Sequence, residues 1–235
     1  MTETNIINIG PFVVTFLITL LVAVFALRRR SVDGGGSFSL WAFILALWNL
    51  GYIFELTSRT LKGKIFWDDL QTALVALFPV AFLFFAIQYS RRKPRRMNWI
   101  WAALLFLAAA SIALIYTNPY HHLVISAEWL IPGGPYADLD HQYAPPAFIM
   151  LGVFTLVLLA GIFLLVQRLF DPHWIYRAQV ATIIIGTLLC LAGIVLTILD
   201  YPIYLHRDNS PFFNSIASLI IAYGLFRYRL FDLMP

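Results

Sequence analysis

The chain is poor in the groups that most chemistry needs. It holds one cysteine and three lysines, and charged residues make up 12% of its 235 positions. A lone Cys190 excludes an intramolecular disulfide and reads as packing inside an apolar run. A soluble domain carries about 25% charged residues, so this composition excludes an ordinary water-facing surface. The triplet Gly34-Gly35-Gly36 follows a basic run and leads into no GKS, which excludes a phosphate loop of that type. All five histidines fall in or beside connections, leaving none paired inside an apolar segment for haem. Lys62, Lys64 and Lys93 also read as connection residues, which excludes a helix-embedded lysine able to carry a retinal Schiff base. The formal charge of +4 has no accompanying basic stripe interleaved with aromatics, so no nucleic-acid partner is expected.

What the chain does have is long apolar segments. Hydrophobic residues reach 61% and mean hydropathy is +0.81. Seven segments approach the roughly 20 helical residues needed to cross a hydrocarbon core: Gly10–Leu27, Phe38–Leu56, Trp67–Tyr89, Trp99–Tyr116, Ala147–Val166, Tyr176–Leu199 and Pro211–Phe226. The predicted fold is an all-α, seven-transmembrane bundle forming a single domain over 1–235.

Twelve of the sixteen Lys and Arg residues sit in every second gap between these segments: Arg28–Arg30, then Arg91 to Arg96, then Arg168 with Arg177, then Arg227 with Arg229. Basic loops stay cytoplasmic, so the N-terminus is expected outside and the C-terminus inside. The long connection 118–146 is then external, and it contains no Lys or Arg. The first segment has its arginines behind it rather than ahead, which reads as a retained helix and not a cleaved signal peptide. Trp67, Trp99, Trp101, Tyr116, Trp174, Tyr176, Tyr201 and Tyr204 fall near segment ends, as an aromatic belt does. Gly186 and Gly193 share one helix face and predict close packing within the bundle, while Pro79 predicts a kink.

Polar groups at membrane depth mark candidate sites, because burying them there is costly. Glu55 lies near the external end of the second segment, on a stripe with Tyr52, Trp48 and Trp41 and beside Asn49. Asp68 and Asp69 open the third segment, where acids suit a helix N-terminus. Tyr116 and Asn118 close the fourth, with His121 just beyond. The predicted ligand-binding set is therefore Glu55, Tyr52, Trp48, Asn49, Asp69, Tyr116, Asn118 and His121. The external connection centres on Pro132-Gly133-Gly134-Pro135, preceded by the β-prone runs Leu123–Ile125 and Trp129–Ile131, and predicts a short hairpin over the bundle mouth. His121, His122, His141, His206, Asp138 and Asp140 lack the spacing of a metal site, so no metal and no cofactor is expected.

These residues resemble the N-terminal seven-transmembrane region of bacterial sensor histidine kinases, a region also found ahead of diguanylate cyclases. The resemblance rests on Tyr52-x-x-Glu55-Leu56, on Trp67 with Pro79 and Phe82-Leu83-x-Phe85, and on Thr117-Asn118-Pro119-x-His121-x-Leu123. It continues through Tyr176-Arg177-x-Gln179 and ends with Arg227-Tyr228-Arg229-Leu230-Phe231-Asp232-Leu233-x-Pro235. It implies a multi-pass inner-membrane sensor that binds a small-molecule or lipid-like ligand outside and acts as a homodimer. It also implies signal transmission through Arg227, Arg229 and Asp232 in the connector 227–235. A PAS and kinase-type output domain would follow in the cytoplasm. These residues hold no phosphoacceptor-histidine helix and no ATP-binding domain, so the resemblance implies sensing and not catalysis. The rival readings are a small-molecule transporter, which needs a polar path across the bundle, and an intramembrane enzyme pairing Glu55 with Asp68 or Asp69.

Overall fold

The computed structural model describes residues 3–90, 97–131, 137–170, 174–198, 201 and 209–227. Helix α1 runs Glu3–Arg28, α2 Gly35–Thr57, α3 Leu61–Tyr89 and α4 Met97–Tyr116. A single turn, α5 (Asn118–His121), precedes the antiparallel strands β1 (Ile125–Ile131) and β2 (Asp138–Tyr143). Then come α6 (Pro145–Val166), α7 (Trp174–Ile198) and α8 (Ser210–Arg227). Six of these helices are long and apolar enough to cross a membrane, and α8 is a shorter apolar helix.

The connection folds as a hairpin, and both β-prone runs fall on its first arm. Ile125 through Ile131 forms one strand, and its partner is the more polar Asp138–Tyr143, with Glu128 opposite His141 and Trp129 opposite Asp140. The Pro-Gly-Gly-Pro segment lies outside the described residues.

Helix α3 starts earlier than its apolar run. The hydroxyl of Thr60 accepts a hydrogen bond from the Gly63 amide at 3.1 Å, and Thr60 itself is extended, which makes it the N-cap. The capping role expected of Asp68 and Asp69 therefore falls to Thr60, and the two acids sit well inside the helix. Lys62 and Lys64 belong to its opening turns rather than to a loop. The helix continues through Pro79 to Tyr89.

Helices α1, α2, α3, α7 and α8 and one face of α6 enclose the main core, in which Phe38, Trp41, Phe82 and Phe85 are fully buried. Trp41 packs on Phe78 and Phe82 of α3, with ring centroids 5.4 and 6.2 Å apart. Helices α4 and α6 are largely uncovered, with Leu105, Phe106, Ile149, Leu156 and Phe163 exposed. In lipid such a face needs no protein partner. Gly34, at φ +78°, makes the tight entry into α2 in a left-handed conformation suited to glycine.

The α7–α8 seam is closely packed. A Cβ at Gly186 would lie 2.5 Å from the Ile221 side chain, and one at Gly193 would lie 2.6 Å from Phe213. A Cβ at Gly224 would overlap the Thr182 side chain. The expectation that Gly186 and Gly193 pack within the bundle thus meets its partner in α8. Overpacking of this kind costs about 1–3 kcal/mol. Gly186→Leu is accordingly expected to lower the melting temperature of the purified protein by several degrees. Gly152→Leu, at a position with nothing within 4 Å, is the control and should leave the melting temperature unchanged.

Candidate functional site

The polar groups at the hairpin end divide into two neighbourhoods. One is the turn between α2 and α3. Lys64 is buried, and its ammonium donates to the backbone carbonyls of Glu55 at 2.8 Å and Leu56 at 3.3 Å. A helix C-terminus carries partial negative charge, so a cation there closes the free carbonyls and is itself compensated. Hydrogen bonds to charged groups are worth about 1.5–3 kcal/mol each, enough to fix this turn. The Glu55 carboxylate accepts from Gln71 Nε2 at 2.8 Å, tying the end of α2 to the third turn of α3.

The second neighbourhood is a cleft of about 340 Å³ between the start of α3, α5 and the start of β1. Lys62, Asp69, Asn118, His122 and Glu128 supply its polar wall, and Ile65, Pro119 and Ile125 part of its apolar one. Asn118 builds the floor. Its amide donates to the Ile125 carbonyl at 2.9 Å, and its oxygen accepts from the Val124 and Ile125 amides at 2.9 and 3.2 Å. One buried side chain thus satisfies three backbone groups that lipid could not. His122 ends α5 at φ +51°, a left-handed conformation uncommon outside glycine, and this turn brings it to the cleft.

The predicted residues therefore separate. Asp69 and Asn118 line the cleft. His121 supports it from behind: its Nδ1 accepts from the Leu123 amide at 3.0 Å, which leaves Nε2 to donate to Thr117 Oγ1 at 3.0 Å. Its neighbour His122 faces the cleft instead. Tyr116 is 42% exposed at the end of α4. Glu55, Tyr52, Trp48 and Asn49 all point into the bundle, at 6% exposure or less, but away from this cleft. Tyr52 packs edge-on against Phe12 of α1 at 5.0 Å, and Asn49 donates to Thr19 of α1 at 3.2 Å. Lys62 and Glu128 are the cleft residues that the sequence did not single out. The Thr60-x-x-Gly63 cap was the available signal for Lys62; Glu128 is brought in by the strand register, which has no local signal.

Beside the cleft, the hairpin leans on α3 through His141. Its Nδ1 is 3.9 Å from Asp68 Oδ2, its ring is edge-on to Tyr143 at 4.5 Å, and its amide donates to Asp140 Oδ1 at 2.9 Å. Burial lowers the His141 pKa from its ordinary 6.5, opposed by Asp140 and Glu128. Burial likewise raises that of Glu128, opposed by His141 and His122. Among the described residues no group of three or more His, Cys, Asp or Glu side chains is placed to hold a metal ion.

With this arrangement in view, residues 11–235 match the family described as the N-terminal 7TM region of histidine kinase. The chain belongs to that family. No curated protein and no solved structure matches it. Membership in this histidine-kinase sensor family, together with the apolar helices, makes the chain a multi-pass inner-membrane protein. The matched region is a sensory input region, and a downstream output domain is the context it implies. The transmission residues expected of it fall largely outside the described residues: Arg229 and Asp232 do so entirely, and Arg227 is described only as the last residue of α8.

The lowered pKa of His141 has a consequence for the hairpin. A depressed histidine binds protons more readily when the local structure opens, so its contribution to stability is present above pH 6.5 and is lost as pH falls through the folded value. Glu128 acts in the opposite sense and at more acid pH, from an ordinary value of 4.5. Hydrogen exchange of the β1–β2 amides is expected to quicken, beyond the intrinsic rate change, between pH 7.5 and 5.5. His141→Gln should flatten that dependence.

Proposed function

We propose that the chain is the transmembrane input module of a bacterial sensor histidine kinase, and that it receives a small ligand with a cationic group in the hairpin-end cleft. The observation that carries this reading is the position of Asp69 and Glu128 on one partly closed wall, where the Glu128 carboxylate acts electrostatically on Asp69. Two carboxylates so placed disfavour one another, and a cation between them relieves both. The apolar lining by Ile65, Pro119 and Ile125 suits the ligand's carbon skeleton.

In this reading α8 completes a seven-span bundle. The basic gaps lie opposite the hairpin, so the cleft opens outside and the C-terminus lies in the cytoplasm. Ligand must favour one arrangement of the helices to have any effect. Contacts reach from cleft to α8 by short steps: Asp69 and Gln71 are neighbours on α3, Gln71 holds Glu55 of α2, Tyr52 of α2 packs on Phe12 of α1, and Phe12 packs on Phe212 of α8 at 5.0 Å. Helix α8 leads into the connector with Arg227, Arg229 and Asp232, and from there to a cytoplasmic PAS and kinase-type output, the whole acting as a homodimer. The module itself performs no catalysis.

The reading is tested on the protein in lipid nanodiscs with small primary and quaternary amines and their neutral isosteres. A ligand at a hundred times its Kd stabilises by about 2.7 kcal/mol, so an amine-specific rise in melting temperature is expected. Asp69→Asn or Glu128→Gln should weaken binding by about tenfold or more, equal to about 1.4 kcal/mol. Equal stabilisation by neutral isosteres, or amine binding untouched by both substitutions, would overturn it.

A further inference from the structure

Away from the cleft, α1, α2 and α8 enclose a second polar region between two layers of aromatic rings. At the hairpin end Phe12, Tyr52 and Phe212 meet, each other ring 5.0 Å from Phe12. At the opposite end Phe226 lies 5.1 Å from Phe25 and 6.4 Å from Phe38. These two sets fix the three helices in register. Counting about 1.5 Å per residue inward from the first layer, Asn49 lies about 4.5 Å below Tyr52, Asn214 about 3 Å and Ser218 about 9 Å below Phe212, and Thr15 and Thr19 about 4.5 and 10.5 Å below Phe12. Thr15, Thr19, Asn49, Asn214, Ser215 and Ser218 are all buried, at 4% exposure or less.

The hydrogen-bond inventory of this layer does not close within the helices. Every hydroxyl proton is already committed to its own helix: Thr15 to Phe12 O, Thr19 to Thr15 O or Phe16 O, Ser215 to Phe212 O and Ser218 to Ser215 O. The Asn49 amide nitrogen donates to Thr19 Oγ1. Left without partners among the described residues are Asn49 Oδ1 and both amide atoms of Asn214, whose side chain is fully buried. Buried amide groups in a membrane bundle do not persist unsatisfied. The free hydrogen-bonding capacity is of both kinds: two amide oxygens and the spare lone pairs of the hydroxyls, with the NH₂ of Asn214 and the second N–H of Asn49.

We infer that this layer is an internal water-binding site in the middle of the bundle, in which ordered water bridges Asn49 of α2 to Asn214 of α8. The occupant the layer requires is a small molecule that both donates and accepts, and water does both. It must also be neutral, because no carboxylate lies among these residues to compensate a cation, and an uncompensated ion there is expensive. Such a bridge gives α8 a contact with α2 that re-forms after a small displacement, since bridging water can reorient while a direct side-chain bond would break. Helix α8 would then shift against α1 and α2 while its polar groups stay satisfied.

The test is radiolytic hydroxyl-radical labelling of the full chain in nanodiscs, with exchange into ¹⁸O-water. Slowly exchanging label is expected on Tyr52 and Phe12 despite their burial, and loss of that label in Asn214→Leu, whose melting temperature reports that it is folded. Wild-type protein that shows no label at either ring overturns the site without reference to any variant. Sodium, compared with potassium and choline at equal ionic strength, should leave the melting temperature unchanged; a sodium-specific rise replaces water with a cation and overturns the assignment. Ligand binding in the cleft is scored separately, so either result is independent of the cleft reading.

Discussion

Lipid offers no hydrogen bonds, and much of this structure follows from that deficit. A helix leaves its first amides and last carbonyls open, and near the hydrocarbon they must be closed by side chains of the same protein. The chain does this economically. Lys64 closes α2, and Thr60 opens α3 a few residues earlier. Arg168 closes α3 at the opposite end by donating to the Ser90 carbonyl at 2.6 Å. Asn118 satisfies three groups at once where α5 turns into β1. Each closure is also a tether between elements distant in sequence or direction, so the shape of the hairpin end depends on the same few side chains that make it tolerable beside a bilayer.

Those tethers explain what was legible in the sequence and what was not. The apolar runs marked the helices because a bilayer selects length and composition locally. The stripe of Trp41, Trp48, Tyr52 and Glu55 marked the inward face of α2 because residues three and four apart share a helix face. The start of α3 was obscured because Ser58 through Lys64 is polar and reads as a connection, although Lys64 is among the more buried side chains of the protein. Asp69 and Asn118 could be picked out because each is polar at the end of an apolar run. Glu128 could not, since its place depends on its cross-strand pairing with His141. The separation of Glu55 from the cleft was equally hidden: a buried acid signals that a partner exists, but Gln71 on the next helix had to be seen to know that the partner is structural.

The two polar regions differ in what surrounds them. The cleft is bounded by a hairpin and a short turn, held largely by hydrogen bonds from Asn118 and by His141 resting on α3. The inner layer is bounded by whole helices and sealed by aromatic rings above and below. The first can open on the timescale of loops, while the second changes only if helices move. An input that begins at one and is read at the other must therefore pass from a soft boundary to a stiff one.

The seam between α7 and α8 limits what that stiff response can be. Ile221 and Phe213 of α8 seat in the notches at Gly186 and Gly193 of α7, while Thr182 of α7 seats in the notch at Gly224 of α8. Knobs point both ways across one interface, so neither helix can slide lengthwise past the other without lifting its side chains out of the opposing grooves. A piston stroke of α8 alone is thereby blocked. What the interlock permits is tilt or rotation of α7 and α8 as one lever, pivoting against α1 and α2.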